Sequence, residues 1–286
     1  MNQISRVGVV GSGLMGSGIA EVCARAGVHV VVAEAGATAS ATGRARIERS
    51  LARALRADKL TERECAEAHK RLRYTTDLHD LADRELVLEA VAEDEQVKEE
   101  IFRVLDKVVE NREAILASNT SSIPITKLAT VTQRPTRVIG MHFFNPVPVL
   151  ALVEIIPSLF TDADTETRAD QFVTDVLGKT VIRAADRAGF VVNGLLIPYL
   201  LAAVRMLDSA LASAEDIDRG MVLGCAHPLG PLALADLIGL DTVRAVADSM
   251  FAEFKEPLYA PPPLLLRMVS AGLLGRKSGR GFHSYP

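Results

Sequence analysis

The chain has 286 residues, of which 49% are apolar and 24% charged, and its net charge is −4. This length predicts one large domain or two moderate ones, with enough apolar residues for a packed core. The acidic balance argues against a general nucleic-acid binder, which needs a basic surface. Met1–Arg6 is polar, unlike a secretory signal, and we expect no membrane segment.

The cysteines Cys23, Cys65 and Cys225 are far apart and form no CxxC motif. An odd number at such spacing predicts neither a disulfide framework nor a zinc site, so we expect no metal. Each cysteine is expected to be a small buried apolar residue in a cytoplasmic protein.

Short apolar runs alternate with helical patterns in the first two thirds of the chain. Strands are predicted at 6–10, 28–33, 86–91, 114–117, 137–142, 150–156 and 180–183, and helices at 14–26, 95–109 and 165–177. Arg44–Leu72 has helical spacing with a break at residues 58–59, which predicts a two-helix excursion. The alternation predicts an α/β domain of the Rossmann type with a mostly parallel sheet.

The last third of the chain changes to helices punctuated by glycine and proline. We therefore predict a Rossmann-type domain at residues 1–187 and an all-α domain at residues 188–286. The most apolar stretch, Phe190–Leu207, includes an asparagine, a proline and an arginine. It predicts a buried helix, at a subunit interface in one interpretation, rather than a membrane span.

Positive charge is concentrated in Arg44–Arg73, which holds ten Lys and Arg residues against five Asp and Glu. The local balance of +5 is consistent with a polyanion site on an acidic protein. Composition alone favours a simpler interpretation, the solvated faces of two amphipathic helices.

A glycine-rich motif follows the first predicted strand and opens a helix. It consists of Gly11, Ser12, Gly13, Leu14, Met15 and Gly16. In this setting Gly11 permits a tight turn, Gly13 lets a pyrophosphate approach, and Gly16 lets the helix pack closely. Glu34 ends the second predicted strand, where a carboxylate binds the ribose 2′-hydroxyl and repels a 2′-phosphate. The motif therefore predicts NAD rather than NADP as the cofactor.

A histidine and a carboxylate occupy unexpected positions. Glu154 lies inside the apolar run 150–156, where an unpaired charge is costly, and His142 ends the preceding predicted strand. The proline-containing turn between them can bring the two side chains together. A carboxylate on one imidazole nitrogen fixes the tautomer and leaves the other nitrogen for proton transfer. Spacing alone leaves an acid–base pair and a core ion pair without chemistry as equal alternatives.

The segment Ser118-Asn119-Thr120-Ser121-Ser122 follows the strand predicted at 114–117. Ligands of open α/β sheets lie beyond the carboxyl ends of the strands, so these hydroxyls are placed to hold a substrate oxygen. The alternative is a cluster of helix N-caps. A serine nucleophile is not expected, because the chain has no G-x-S-x-G motif there.

These segments together resemble the L-3-hydroxyacyl-CoA dehydrogenase family, with the closest likeness to its single-function bacterial 3-hydroxybutyryl-CoA members. The resemblance covers nearly the whole chain. It rests on Val9–Gly16, Ser118–Ser122, His142–Pro146, Gly189–Asn193, His227–Pro231 and Gly279–Phe282.

The resemblance implies an enzyme that interconverts a (3S)-3-hydroxyacyl-CoA and a 3-oxoacyl-CoA by hydride transfer with NAD. It implies that His142 is the general acid and base, and that Glu154 orients it. Ser121 and Asn193 would stabilise charge on the substrate C3 oxygen. A homodimer formed by the C-terminal domain and a short acyl chain are also implied.

Cofactor and CoA contacts follow from the same resemblance. Nicotinamide contacts are implied for Glu93, Lys98, Ser121, Asn145 and Lys277. CoA contacts are implied for Ser50 and Ser121, and for one or more of Arg53, Arg56 and Lys59. The cation is left open because a lysine common in the family one or two turns after Ser50 is absent. Glu34 also replaces the Asp of many relatives, but it keeps the carboxylate.

Three rival functions share features with this one. A dehydrogenase of small free β-hydroxy acids typically uses a lysine, and a non-catalytic crystallin-like NAD-binding protein should have lost site residues. The His142/Glu154 pair and the Ser118–Ser122 segment argue against the first, and the intact Ser121, His142, Glu154 and Asn193 argue against the second. Action on an acyl carrier protein thioester stays open, because both carriers share the pantetheine arm. Acyl-chain length and physiological direction also stay open.

Overall fold

The computed structural model describes residues 3–285, and the chain divides into two compact units between Arg187 and Ala188. The strands of the first unit are β1 (Arg6–Val10), β2 (His29–Ala33), β3 (Leu72–Thr75), β4 (Leu86–Glu89), β5 (Ile115–Ser118), β6 (Val138–Phe143), β7 (Leu152–Pro157) and β8 (Thr180–Arg183). Its helices are α1 (Leu14–Arg25), α2 (Ala37–Arg56), α3 (Glu62–Lys70), α4 (Glu95–Val108), α5 (Ile125–Thr130) and α6 (Ala163–Gln171).

The eight strands form one sheet in the order β3-β2-β1-β4-β5-β6-β7-β8. Neighbouring strands are parallel except β6 and β7, which are antiparallel. β1, β2 and β4 to β6 are rich in Val, Ile and Leu and are almost wholly buried, as expected of strands covered by helices on both faces. The predicted Rossmann-type α/β fold, followed by a helical unit, is confirmed.

The sheet brings the carboxyl ends of β1, β4, β5 and β6 to one edge. The strand order reverses between β1 and β4, and ligands of open α/β sheets bind outside the carboxyl ends at such a point. The glycine-rich loop, the hydroxyl-rich segment after β5 and the end of β6 therefore share this edge.

Two elements of the first unit were not predicted. The sequence predicts Leu72 at the end of the second excursion helix, but α3 ends at Lys70 and Leu72 begins the edge strand β3. β3 has four residues and alternates half-buried Leu72 and Tyr74 with exposed Arg73, a strand pattern too short to detect within a helical run. Helix α5, with only six residues, was also missed.

The second unit consists of α7 (Val192–Asp208), α8 (Ala214–Cys225), α9 (Pro231–Ile238), α10 (Leu240–Phe254) and α11 (Pro263–Ser270). The buried helix predicted at Phe190–Leu207 is confirmed, because α7 supplies Ile197, Leu200, Leu201 and Val204 to the core of this unit. Across residues 3–285, none of the helices combines the length and apolarity that a membrane span requires.

The expectation that all three cysteines are buried is wrong. Cys23 lies in the core, and burial raises the pKa of its thiol to about 12. Cys65 is half-buried, and Cys225 is exposed. Cys225 is the last residue of α8, where Ala226 turns into the left-handed region, and its side chain faces solvent at this helix end.

Candidate active site

The glycine-rich loop has the shape that a dinucleotide pyrophosphate requires. Gly11 has φ +91, and a Cβ on Gly16 would lie 1.9 Å from the Gly11 carbonyl oxygen, so both positions need glycine. A Cβ on Gly13 would meet no atom within 4 Å, which leaves open space in front of α1. Gly13 is the N-cap of α1, so the first N–H groups of this helix face that space. These residues fit the predicted NAD.

Glu34 lies beside this loop at the carboxyl end of β2. Its Oε1 accepts hydrogen bonds from the backbone N–H of Ser12 and from Ser12 Oγ, the latter at 2.8 Å. The carbonyl of Ser12 accepts from Ser17 Oγ at 2.6 Å and from Arg46 Nη1 at 2.7 Å. Ser12 thus links β2, α1 and α2, and it holds the Glu34 carboxylate next to the loop.

The antiparallel pair of β6 and β7 places His142 opposite Glu154. His142 Nδ1 lies 2.7 Å from Glu154 Oε2, and the two residues are 5% and 0% exposed. His142 Nε2 lies 3.1 Å from Ser121 Oγ, and the Phe144 ring packs edge-on against the imidazole at 4.6 Å. Glu154, His142 and Ser121 therefore form a continuous hydrogen-bonded array at the edge where ligands bind.

The segment after β5 is held by Glu93 rather than by a helix. Glu93 Oε1 accepts from Thr120 Oγ1, from the Ser121 N–H at 2.9 Å and from Ser122 Oγ at 3.2 Å. The alternative function of this segment, N-capping of a helix, is wrong. The carboxylate of Asp186 accepts from the first two N–H groups of α5, at 2.7 and 2.8 Å.

Lys98 is almost wholly enclosed and lies between two carboxylates. Its Nζ is 2.6 Å from Glu89 Oε1 and 3.3 Å from Glu93 Oε2, and the residue is 1% exposed. Sequence reasoning missed Glu89, which is the last residue of β4 and is 0% exposed. The argument that singled out Glu154, a carboxylate within a buried apolar run, applies equally to Glu89.

The remaining predicted contact residues lie on several elements of the two units. Ser50 and Arg53 of α2 line a small cleft together with Asn145, whereas Lys59 lines a different cleft beside Arg25. Arg56 is exposed in the last turn of α2. In the second unit, Asn193 lies in the first turn of α7 and is half-buried, and Lys277 Nζ donates to Asp241 at 2.6 Å.

Two family models together match nearly the whole chain. Residues 6–187 match the NAD binding domain of 3-hydroxyacyl-CoA dehydrogenase, and residues 189–285 match its C-terminal domain. The chain belongs to the 3-hydroxyacyl-CoA dehydrogenase family. Its first unit is the NAD-binding domain of that family, so the predicted cofactor is confirmed.

Individual relatives are similar over their full length. A 3-hydroxybutyryl-CoA dehydrogenase of Mycobacterium tuberculosis is 60% identical over 282 residues, which are 99% of each chain. The crystal structure of M. tuberculosis FadB2 superposes with a TM-score of 0.99 at 60% identity and covers 100% of both chains. The structure of (S)-3-hydroxybutyryl-CoA dehydrogenase PaaH1 from Ralstonia eutropha has a TM-score of 0.93 at 47% identity, and the match covers 99% of this chain and 100% of that one.

The glycine-rich loop offers a matched pair of substitutions. Gly16→Ala should lower Tm or prevent folding, because its Cβ would collide with backbone. Gly13→Ala should leave Tm within about 2 °C, because its Cβ meets only open space, yet it should raise the Kd for NADH roughly tenfold, since the methyl group occupies the path of the pyrophosphate. Calorimetry measures Tm of both variants, and titration followed by NADH fluorescence measures their Kd. Wild-type affinity in Gly13→Ala would show that no phosphate approaches this position.

Proposed function

We propose that this chain reduces acetoacetyl-CoA to (S)-3-hydroxybutyryl-CoA, and catalyses the reverse oxidation, with the Glu154–His142 pair as its acid and base. The observation that carries the proposal is the array of Glu154, His142 and Ser121 at the sheet edge that also bears the glycine-rich loop. The names of the M. tuberculosis and R. eutropha relatives support the substrate.

His142 performs the proton transfer in this proposal. NAD, held by the glycine-rich loop, would supply the hydride acceptor for oxidation at the substrate C3 and, in its reduced form, the hydride donor for reduction. The C3 hydroxyl must lose its proton as the carbonyl forms, and His142 Nε2 accepts that proton. Glu154 accepts a hydrogen bond from Nδ1 at 2.7 Å, which selects the tautomer with an unprotonated Nε2. In reduction the protonated Nε2 donates to the developing alkoxide.

Ser121 and Asn193 hold the C3 oxygen in the same scheme. Ser121 Oγ already lies within hydrogen-bonding distance of His142 Nε2, so an oxygen bound between them contacts both groups. Hydroxyl and amide donors stabilise the negative charge that grows on this oxygen in reduction.

The phosphates of CoA are proposed to bind along the face of α2 that bears Arg53. Of the three candidate cations, Arg53 is favoured because it lines the same cleft as Ser50 and Asn145. The short acyl chain follows from the names of the relatives.

We also propose that the enzyme is a cytoplasmic homodimer formed by the C-terminal unit, whose Leu195, Leu211 and Leu223 are 69–77% exposed.

Removal of the imidazole tests the acid–base assignment. His142→Ala should lower kcat for acetoacetyl-CoA and NADH by roughly 100-fold or more, as expected for a lost general acid. His79→Ala is the matched control, because His79 also contacts a carboxylate, that of Asp77 at 2.8 Å, but on the exposed surface. It should retain wild-type turnover. Near-normal turnover in His142→Ala would refute the assignment.

Glu34 is proposed to set the preference between the two dinucleotides. We expect kcat/KM with NADPH to be at least roughly tenfold lower than with NADH, because the carboxylate repels a 2′-phosphate. Glu34→Gln keeps the size of the side chain and removes its charge, so it should bring the kcat/KM values for NADPH and NADH closer together. Equal use of NADPH and NADH by the wild-type enzyme would contradict the assignment of Glu34.

Arg53 should affect substrate binding more than chemistry. Arg53→Gln is expected to raise the KM for acetoacetyl-CoA roughly fivefold at unchanged kcat, the loss of about 1 kcal/mol from one exposed ion pair. Arg44→Gln is the control, because Arg44 lies on the opposite side of α2, where it pairs with Glu48. An equal change of KM in both variants would mean that the overall charge of α2, rather than a contact of Arg53, is responsible.

A further inference from the structure

Glu89 is a wholly buried carboxylate to which neither the sequence motifs nor the proposed chemistry assigns a task. We propose that Glu89 is a positioning residue: through Lys98 and Glu93 it sets the place of Ser121 against His142. This inference rests on the proposed function for its catalytic consequence. Its structural basis is a set of contacts that begins in β4 and ends at the imidazole.

Glu89 uses its two oxygens for two different segments of the chain. Oε1 accepts from Lys98 Nζ at 2.6 Å and from the backbone N–H of Val91 at 2.7 Å. Oε2 accepts from Ser118 Oγ at 2.6 Å. Ser118 is the last residue of β5 and the first of the hydroxyl-rich segment, so Glu89 holds the start of that segment directly.

Lys98 connects Glu89 to Glu93, which holds the later residues of the same segment. Its ammonium lies between Glu89 and Glu93, so two carboxylates share one cation and the group as a whole keeps one negative charge. Glu93 is therefore only partly neutralised, and its Oε1 stays a strong acceptor for the Ser121 N–H. Ser121 Oγ in turn lies 3.1 Å from His142 Nε2.

This arrangement differs from a buried ion pair that only stabilises the fold. In the first unit Asp106 pairs with Arg134 at 2.9 Å, and both side chains are nearly as enclosed. The Arg134 guanidinium donates to the carbonyls of Val109 and Asn111, at the turn before β5 and at the edge opposite the site. Asp106 thus provides a control that matches Glu89 in burial and pairing but contacts no residue of the catalytic array.

Glu89→Gln isolates the charge of Glu89 from its shape. The amide carbonyl still accepts from Lys98 and Val91, while the amide N–H₂ donates to the Ser118 hydroxyl, which also serves as an acceptor. The negative charge is lost, and the hydrogen bond with Ser118 reverses its direction. Lys98 is then balanced by Glu93 alone and draws that carboxylate towards itself, away from the Ser121 N–H.

Steady-state kinetics in two backgrounds test whether Glu89 acts through Ser121. Glu89→Gln should lower kcat for acetoacetyl-CoA and NADH about tenfold, with KM values within about twofold, because a small displacement of a catalytic group costs this much or more. In a Ser121→Ala background the same substitution should cost less than about twofold. An equal fold-loss in both backgrounds would overturn the proposal, since a role that bypasses Ser121 predicts additive effects.

Hydrogen exchange of the cofactor-free protein gives a readout independent of activity. The amides of residues 120–123 should exchange about tenfold faster in Glu89→Gln. In Asp106→Asn their exchange rates should be unchanged once any change in global stability is corrected for. Unchanged exchange in Glu89→Gln would also overturn the proposal. If the wild-type chain does not turn over acetoacetyl-CoA, the proposed function fails, and the exchange rates still decide the positioning role.

A second variant covers the case in which Glu89→Gln does not fold. The double variant Glu89→Gln/Lys98→Met leaves no unpaired cation in the core, so it avoids the main cost of breaking a buried pair. It also removes the cation that anchors Glu93 Oε2, so this partly exposed carboxylate can turn to solvent and leave the Ser121 N–H. Faster exchange at residues 120–123, together with a loss of kcat that Ser121→Ala suppresses, is expected. Wild-type exchange and kcat would overturn the proposal.

Discussion

The proposed chemistry depends on one buried contact, the hydrogen bond between His142 Nδ1 and Glu154 Oε2. A carboxylate that is wholly excluded from water is costly unless a partner satisfies it, so this pair is under strong constraint to stay together. The antiparallel register of β6 and β7 provides that constraint, because it places the two residues directly opposite each other. A slip of one residue would turn Glu154 to the other face of the sheet.

The parallel part of the sheet brings the other groups to the same place. Because β1, β4, β5 and β6 end at one edge, residues far apart in sequence become neighbours without any long loop. The glycine-rich loop, the Ser118–Ser122 segment and the imidazole all follow or end such strands. Family membership agrees with this arrangement, since the matched NAD binding domain spans residues 6–187 and contains all of these elements.

Polar groups near the site are satisfied by one another and form a chain through the first unit. Glu89, Lys98 and Glu93 hold the segment that presents Ser121, and Asp186 holds the start of the helix that follows. Such a network makes the position of one hydroxyl depend on charges two and three contacts away. In a medium of low dielectric constant the strength of these contacts favours a single arrangement of the segment.

The alternation of apolar runs and helical periods was sufficient to predict the Rossmann-type fold and the helical C-terminal part. These patterns are local, and each long element buries its own apolar face. The edge strand β3 and the short helix α5 were not predicted, because four to six residues carry too little periodicity and tertiary packing decides their conformation. The exposure of Cys225 was missed for a similar reason, since it depends on where α8 ends.

For the site, the sequence by itself determined which groups were candidates, because a glycine-rich loop after a strand and a carboxylate in an apolar run are chemically recognisable where they stand. It predicted that His142 and Glu154 could meet, but it left a catalytic pair and an inert ion pair equally open. Only the tertiary structure decided that Nε2 of His142 faces Ser121, that Glu93 rather than a helix holds this segment, and that Glu89 balances Lys98. The physical reason is that these contacts join β4, α4, β5 and β6, and no local pattern encodes the distance between strands that are neighbours in the sheet but separated in the chain.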